Sequence, residues 1–164
     1  MKILLLIRHA KSGRDDASSS DIERTLTEQG KSDAAMMARR LIEKSIDIDA
    51  FVSSSAKRAR QTAQIFMNEC KVSEKKLLLA SSLYEASVKD FYGIIDSLND
   101  EDNVVALFAH NPGVTDFVNS VECSPVYNMP TCAVYGVKIK TNHWKEFVAA
   151  EKEFLFFDYP KNKT

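Results

Sequence analysis

Glycine and proline are scarce, five and four residues in 164, and nowhere do they gather. Neither a flexible linker nor a proline-rich arm therefore divides the chain, and no internal repeat points to a solenoid or propeller. Cysteine is nearly absent too. Cys70, Cys123 and Cys132 form no CxxC pair, and their odd number leaves no disulfide framework; they read as reduced thiols of a cytoplasmic protein. Long apolar runs are missing: the longest aliphatic one, Ile3–Ile7, ends at Arg8. A membrane helix needs ~20 such residues and a signal-peptide core about 7–15, so neither a membrane partner nor a leader is expected. An excess of one charge is lacking as well. With 22 Lys and Arg against 23 Asp and Glu, the net charge of -1 excludes bulk polycation binding to nucleic acid or acidic lipid. No His, Cys, Asp or Glu set has metal-ligand spacing, so no metal and no cofactor are expected.

What is present is an ordinary globular composition, 45% hydrophobic and 27% charged. At roughly 150 residues per domain, residues 1–164 predict a single domain. Such a chain buries ~68–70% of its unfolded surface and needs no staple. Lys2–Ile7 is a continuous apolar run and predicts a strand buried on both faces. Thr27 can cap a helix that runs to about Lys44, with Ala34, Met37, Ala38 and Leu41 on one face. Strands over Ile48–Ser53, Leu77–Ala80 and Asn103–Ala109 alternate with helices over about Ala56–Cys70, Val88–Leu98 and Pro112–Val121. Ala133–Ile139 and Trp144–Ala150 alternate around Lys140–His143 as a hairpin does, and Phe154–Phe157 predicts a further edge strand. The pattern implies an α/β fold: three layers, α/β/α, with a mostly parallel central sheet and an antiparallel hairpin at one edge.

In such sheets ligands bind at the carboxyl ends of the strands. His9 follows the first strand and His110 the Asn103–Ala109 strand, while Ile48–Ser53 leads into Lys57-Arg58-Ala59-Arg60. A polar stretch, Ser12–Asp21, also follows the first strand, where loops often carry function. Taken singly, a strand-end histidine is a hydrogen-bonded structural residue and a first-turn arginine is solvated. Two imidazoles and several guanidinium groups in one crevice are costly unless an anion sits between them. Phosphoryl fits best, because arginine offers paired planar donors and the helix opening near Asn111-Pro112 offers free amides. A neutral imidazole can attack phosphorus, so the residues point to metal-free phosphoryl transfer through an N-phosphohistidine. His143, in a predicted turn, reads as a surface residue.

Arg8-His9-Ala10 resembles the RHG signature of the histidine phosphatase (phosphoglycerate mutase-like) superfamily. The likeness continues in order through Leu26-Thr27-x-x-Gly30, Arg58-Ala59-x-Gln61-Thr62-Ala63 and His110-Asn111-Pro112-Gly113, with Met129-Pro130-Thr131 a weaker addition. The short chain and the RHAKS and HNPG forms most resemble the SixA-type phosphohistidine phosphatases. The resemblance implies that His9 is the phosphorylated nucleophile, Arg8 and Arg58 clamp the phosphoryl oxygens, and His110 completes the pocket. Arg58, not Arg60, holds the motif position. Asn111 belongs to the substrate-binding set, with Lys11, Ser12 and Arg24 near the mouth; Arg24 reads equally as a basic contact or a solvated residue. Ala10 replaces the signature glycine, so that position does not require positive φ. The resemblance also places an acid after the third strand, and Glu85 either donates a proton there or caps the helix starting near Ser87. The expected substrate is phosphohistidine on a protein. A small-molecule phosphomonoesterase, a mutase-like phosphotransferase and a non-catalytic phosphate-binding module are the alternatives.

Overall fold

The computed structural model describes residues 1–13 and 20–163. Its six strands are β1 (Lys2–Arg8), β2 (Ala50–Ser53), β3 (Leu78–Leu79), β4 (Val104–Ala109), β5 (Val134–Ile139) and β6 (Lys152–Asp158). They lie in one sheet in the order β3-β2-β4-β1-β5-β6. The first four are mutually parallel, whereas β5 runs antiparallel to β1, and β6 antiparallel to β5. Among the described residues there are four α-helices: α1 (Glu28–Glu43), α2 (Lys57–Glu69), α3 (Val88–Asp96) and α4 (Gly113–Ser120). Among the described residues no helix is long and apolar enough to cross a membrane.

The period-two alternation of strand side chains divides the core between the two faces. Leu5, Ile7, Phe51, Ala106 and Phe108 pack with Ala34, Met37, Ala38 and Leu41 of α1 and Ala63, Phe66 and Met67 of α2. Leu4, Leu6, Val52, Val105 and Leu107 pack with Phe91 and Ile95 of α3 and Val114, Phe117 and Val118 of α4. Three layers follow, as the alternation of elements predicts.

The hairpin departs from the sequence-based expectation. Its second strand is Lys152–Asp158, the segment read as a separate edge strand, closed by Lys140 N–H donating to Glu151 O. Trp144–Glu146 is instead a single 3₁₀ turn. Trp144 and Phe147 lie three residues apart on one side of that turn, and both are buried against the α3/α4 face. The third strand shrinks to two residues at the sheet edge, with Leu78 and Leu79 more than half exposed. Of the polar stretch after β1, residues 14–19 lie outside the described residues. Its flanks pair Ser12 with Leu26 and form a 3₁₀ turn over Asp21–Glu23.

Candidate active site

Because β4 lies between β1 and β2, the residues that follow these three strands are neighbours. His9 and His110 meet there with ring centroids 5.1 Å apart, 7% and 8% exposed. Arg58 enters from the first turn of α2 and is 6% exposed. Arg8, His9, Lys11, Ser12, Arg24, Arg58, His110 and Asn111 all line one cavity of about 310 Å³, together with Thr131. The expected phosphoryl-site residues are thus brought together.

The hydrogen bonds fix what each ring can do. His9 Nδ1–H donates to Ala10 O at 2.7 Å, which leaves the Nε2 lone pair free. Burial, with help from His110, Arg58 and Arg8, holds the His9 pKa down at about 3, so the ring is neutral near pH 7. His110 Nε2 lies 2.7 Å from Ser54 Oγ, which already accepts from Ala56 N–H. Ser54 Oγ keeps a second lone pair, so either ring tautomer of His110 satisfies this bond; where the Ser54 hydroxyl donates to Nε2, the His110 proton sits on Nδ1. Burial and Arg58 lower the His110 pKa to about 4.

Among the described residues, His110 Nδ1, Arg8 Nε and Arg58 Nε are buried side-chain nitrogens without a partner; the two arginine N–H groups are donors, and Nδ1 is one in the tautomer just described. Each orphaned donor forgoes a bond whose absence costs about 1–3 kcal/mol. All three belong to residues lining the His9 cavity, where a bound oxyanion would bring acceptor oxygens. Arg60 Nε is unpartnered as well, but Arg60 does not line the cavity. Both terminal nitrogens of Arg58 are engaged, as is one of Arg8. Arg8 Nη1 donates to Met129 O at 2.9 Å, and Arg58 Nη1 and Nη2 donate to Asp21 O and Oδ2 at 2.7 and 3.1 Å.

The remaining motif residues hold this arrangement in place. Thr62 Oγ1 donates to Arg58 O at 2.8 Å and accepts from Ala10 N–H at 3.0 Å, joining the clamp to the turn after His9. Gln61 Oε1 accepts from Leu26 N–H, and Thr27 caps α1 by accepting from Gly30 N–H. A Cβ on Gly30 would stand 2.1 Å from Lys11 O, so only glycine lets α1 approach the loop behind the nucleophile. Ala10 is fully buried and has no positive φ, as its replacement of the signature glycine implies.

Several expected roles change. Asn111 lines the cavity, but its amide donates to Asn128 Oδ1 and Met129 O and its carbonyl accepts from Thr115, so it braces the loop rather than offering a free donor. Arg24 is not simply solvated: it bonds Ser12 Oγ, Gly13 O and Asp21 Oδ1. Glu85 does not cap α3, because Ser87 and Asp90 form a capping box there. Glu85 instead lines an adjoining cavity of about 460 Å³ with Asp21, Arg58, Tyr84 and His110. Its φ of 54° is left-handed. Three of the other positive-φ residues, Ser45, Lys71 and Glu122, directly follow helix C-caps. Among the described residues, Glu85 and Cys132, whose N–H donates to His9 O, are the two that do not, and both adjoin the site.

Sequence reasoning missed three residues: Asp21, Tyr84 and Ser54. Ser54 directly follows β2, a strand-end signal as good as that of His9. Asp21 and Tyr84 lie in segments without periodicity, and only their side-chain bonds reveal them.

A family model described as the histidine phosphatase superfamily (branch 1) matches residues 4–122, and the chain belongs to that superfamily. Over 84 residues it is 32% identical to the mitochondrial serine/threonine-protein phosphatase Pgam5 of Drosophila ananassae. That alignment takes in 51% of this chain and only 28% of the relative. A SixA structure from Agrobacterium tumefaciens superposes with a TM-score of 0.80 at 20% identity, covering 97% of this chain and 98% of the other. The protein histidine phosphatase SixA complexed with tungstate gives 0.80 at 21%, covering 96% and 97%. These likenesses establish a shared fold.

Proposed function

We propose that this chain is a phosphatase that hydrolyses phosphohistidine on a protein, through a phosphorylated His9. The observation that carries the reading is the set of three unpartnered buried nitrogens, two of them arginine donors, on residues that line a cavity beside a neutral imidazole. His9 Nε2 attacks phosphorus, the bond from phosphorus to the substrate imidazole breaks, and its electron pair leaves on that nitrogen, which takes a proton. Water then attacks the phosphoryl group on His9, giving orthophosphate and the free ring. Arg8, Arg58 and His110 stabilise charge on the transferring oxygens, with Lys11, Ser12 and Arg24 at the mouth and Asn111 bracing it.

Support for a protein substrate comes from the short connection between β3 and β4. Only a 3₁₀ turn at Ser81–Leu83 and α3 occupy it, so that connection supplies no long lid over a small metabolite. The fold shared with SixA, a protein described as a protein histidine phosphatase, supports the same reading. Three free thiols suit a reducing cytoplasm. A second reading, a phosphoester as substrate, is favoured by Glu85 at the adjoining cavity, where an oxygen leaving group would need an acid. The relative's name, serine/threonine-protein phosphatase, agrees with that reading.

The test compares kcat/KM on a phosphohistidine protein, a phosphoserine protein and an alkyl phosphate, with EDTA present throughout. Phosphohistidine should be fastest, and rapid-quench mass spectrometry should find an acid-labile adduct on His9. Faster turnover of either ester would favour the second reading. An adduct on His110 would displace His9 as nucleophile, and no turnover of any substrate would leave a binding module.

A further inference from the structure

Asp21 has no place in the transfer chemistry above, yet among the described residues four bonds from three side chains converge on it. Its carbonyl and Oδ2 take both terminal nitrogens of Arg58, at 2.7 and 3.1 Å. Oδ1 accepts from Arg24 Nη1 at 2.9 Å, and Oδ2 also accepts from the Tyr84 hydroxyl at 2.6 Å. The carboxylate is half exposed, whereas the guanidinium it grips is nearly buried, 51% against 7% for the side chains. A surface pair of this kind is normally worth little. Here its geometric effect is large, because a guanidinium held at both Nη atoms can no longer rotate. The one nitrogen left over is Nε, the buried donor without a partner.

Resting on the reading of Arg58 as a phosphoryl clamp, we infer that Asp21 is the positioning residue of that clamp: it holds both terminal nitrogens so that Nε is presented to the phosphoryl group. Through Tyr84, whose ring stands edge-on to His110 with centroids 5.6 Å apart, the same carboxylate joins the clamp to the wall of the adjoining cavity. The bond from Tyr84, followed by those from Arg24 and Arg58, holds the Asp21 carboxyl well below the usual range, so it stays ionised and acts as an acceptor rather than an acid.

Asp21 could instead be a surrogate anion that occupies Arg58 until substrate displaces it. The two roles predict opposite signs. For a positioning residue, Asp21→Asn lowers kcat/KM roughly 10- to 100-fold, the cost of a misplaced catalytic group. Orthovanadate affinity falls with it. For a surrogate, orthovanadate binds the variant more tightly. Tyr84→Phe, which removes one hydroxyl and leaves the fold untouched, should weaken vanadate binding in the same direction by a smaller factor. In an Arg58→Lys background the forked pair cannot form, and Asp21→Asn should then cost less than about twofold, since coupled residues do not add. An equal loss in both backgrounds, tighter vanadate binding, or no change in wild type would each overturn the inference. If Arg58→Lys itself retains full activity, the clamp reading fails first, and that result is distinct from the others.

Discussion

At the scale of single residues, position on the backbone separates side chains that look alike in sequence. Arg58 and Arg60 are two residues apart on α2, yet only Arg58 lines the His9 cavity. Arg58→Ala should lower kcat by ~10²–10³, the usual effect of removing one charge-stabilising donor, and Arg60→Ala should cost far less. Steady-state kinetics on one phosphohistidine substrate decides it, and equal losses would mean that the motif is out of register. Glu85 divides by substrate. If it protonates an oxygen leaving group, Glu85→Gln should slow alkyl phosphate hydrolysis by ~10²–10⁴ and barely touch phosphohistidine, whose imidazole departs with little help. Equal slowing of both would make Glu85 a residue that shapes the cavity and nothing more.

The elements set those positions, and two glycines show how. Gly30→Ala drives a methyl into Lys11 O, a backbone atom that cannot step aside, and should break the bond from Thr27 N–H to the same oxygen. A loss of about 1–3 kcal/mol, read from the urea midpoint, is expected, with lower activity because Lys11 follows the nucleophile's turn. Gly93 in α3 is exposed and has nothing within 4 Å of a built Cβ, so Gly93→Ala should gain roughly 0.5–1 kcal/mol. Both glycines sit in helices, and only the contact tells them apart. The limits of sequence reading lie in the same kind of information. β1 and β4 are legible because unbroken apolar runs can only be buried twice over. The four helices are legible because their apolar positions repeat every three or four residues. Trp144–Ala150 misleads because the turn-like Lys140–His143 before it suggests a hairpin, whereas Trp144 and Phe147, three residues apart, match the period of a 3₁₀ turn, and β6 takes the place beside β5. In the site, His9, Arg58 and His110 announce themselves at strand ends and in motifs. Asp21 and the internal bonding of Asn111 do not, because both depend on which partner the folded chain delivers.

For the whole molecule, the two buried imidazoles couple folding to acidity. The folded pKa values of His9 and His110, about 3 and about 4, lie below the ordinary 6.5, so between those values and 6.5 the unfolded chain binds more protons than the native one. Stability therefore rises with pH across that window and falls as pH drops from about 6.5 towards 4, by at most about 1.4 kcal/mol per pH unit for each ring. Urea titrations in phosphate-free buffer should show this slope, and His9→Ala and His110→Ala should each flatten it. A slope unchanged in both variants would place the lost stability elsewhere. The nucleophile, already neutral at pH 5, should impose no acid limb near 6.5 on kcat/KM.

The hydroxyl of Thr62 has one more consequence. It bonds the carbonyl of Arg58 and the amide of Ala10 at once, so the two halves of the transfer machinery, almost fifty residues apart in the chain, hang on one oxygen atom. A mutation that shifts α2 to suit a new substrate would disturb nucleophile and clamp in the same stroke, and selection would discard it. Beyond Tyr84, which Asp21 ties to the clamp, the wall of the adjoining cavity formed by Glu85 and Ala86 shares none of those bonds. Descendants of this chain are therefore free to change what they release at that wall while keeping, unaltered, the way they take hold of phosphorus.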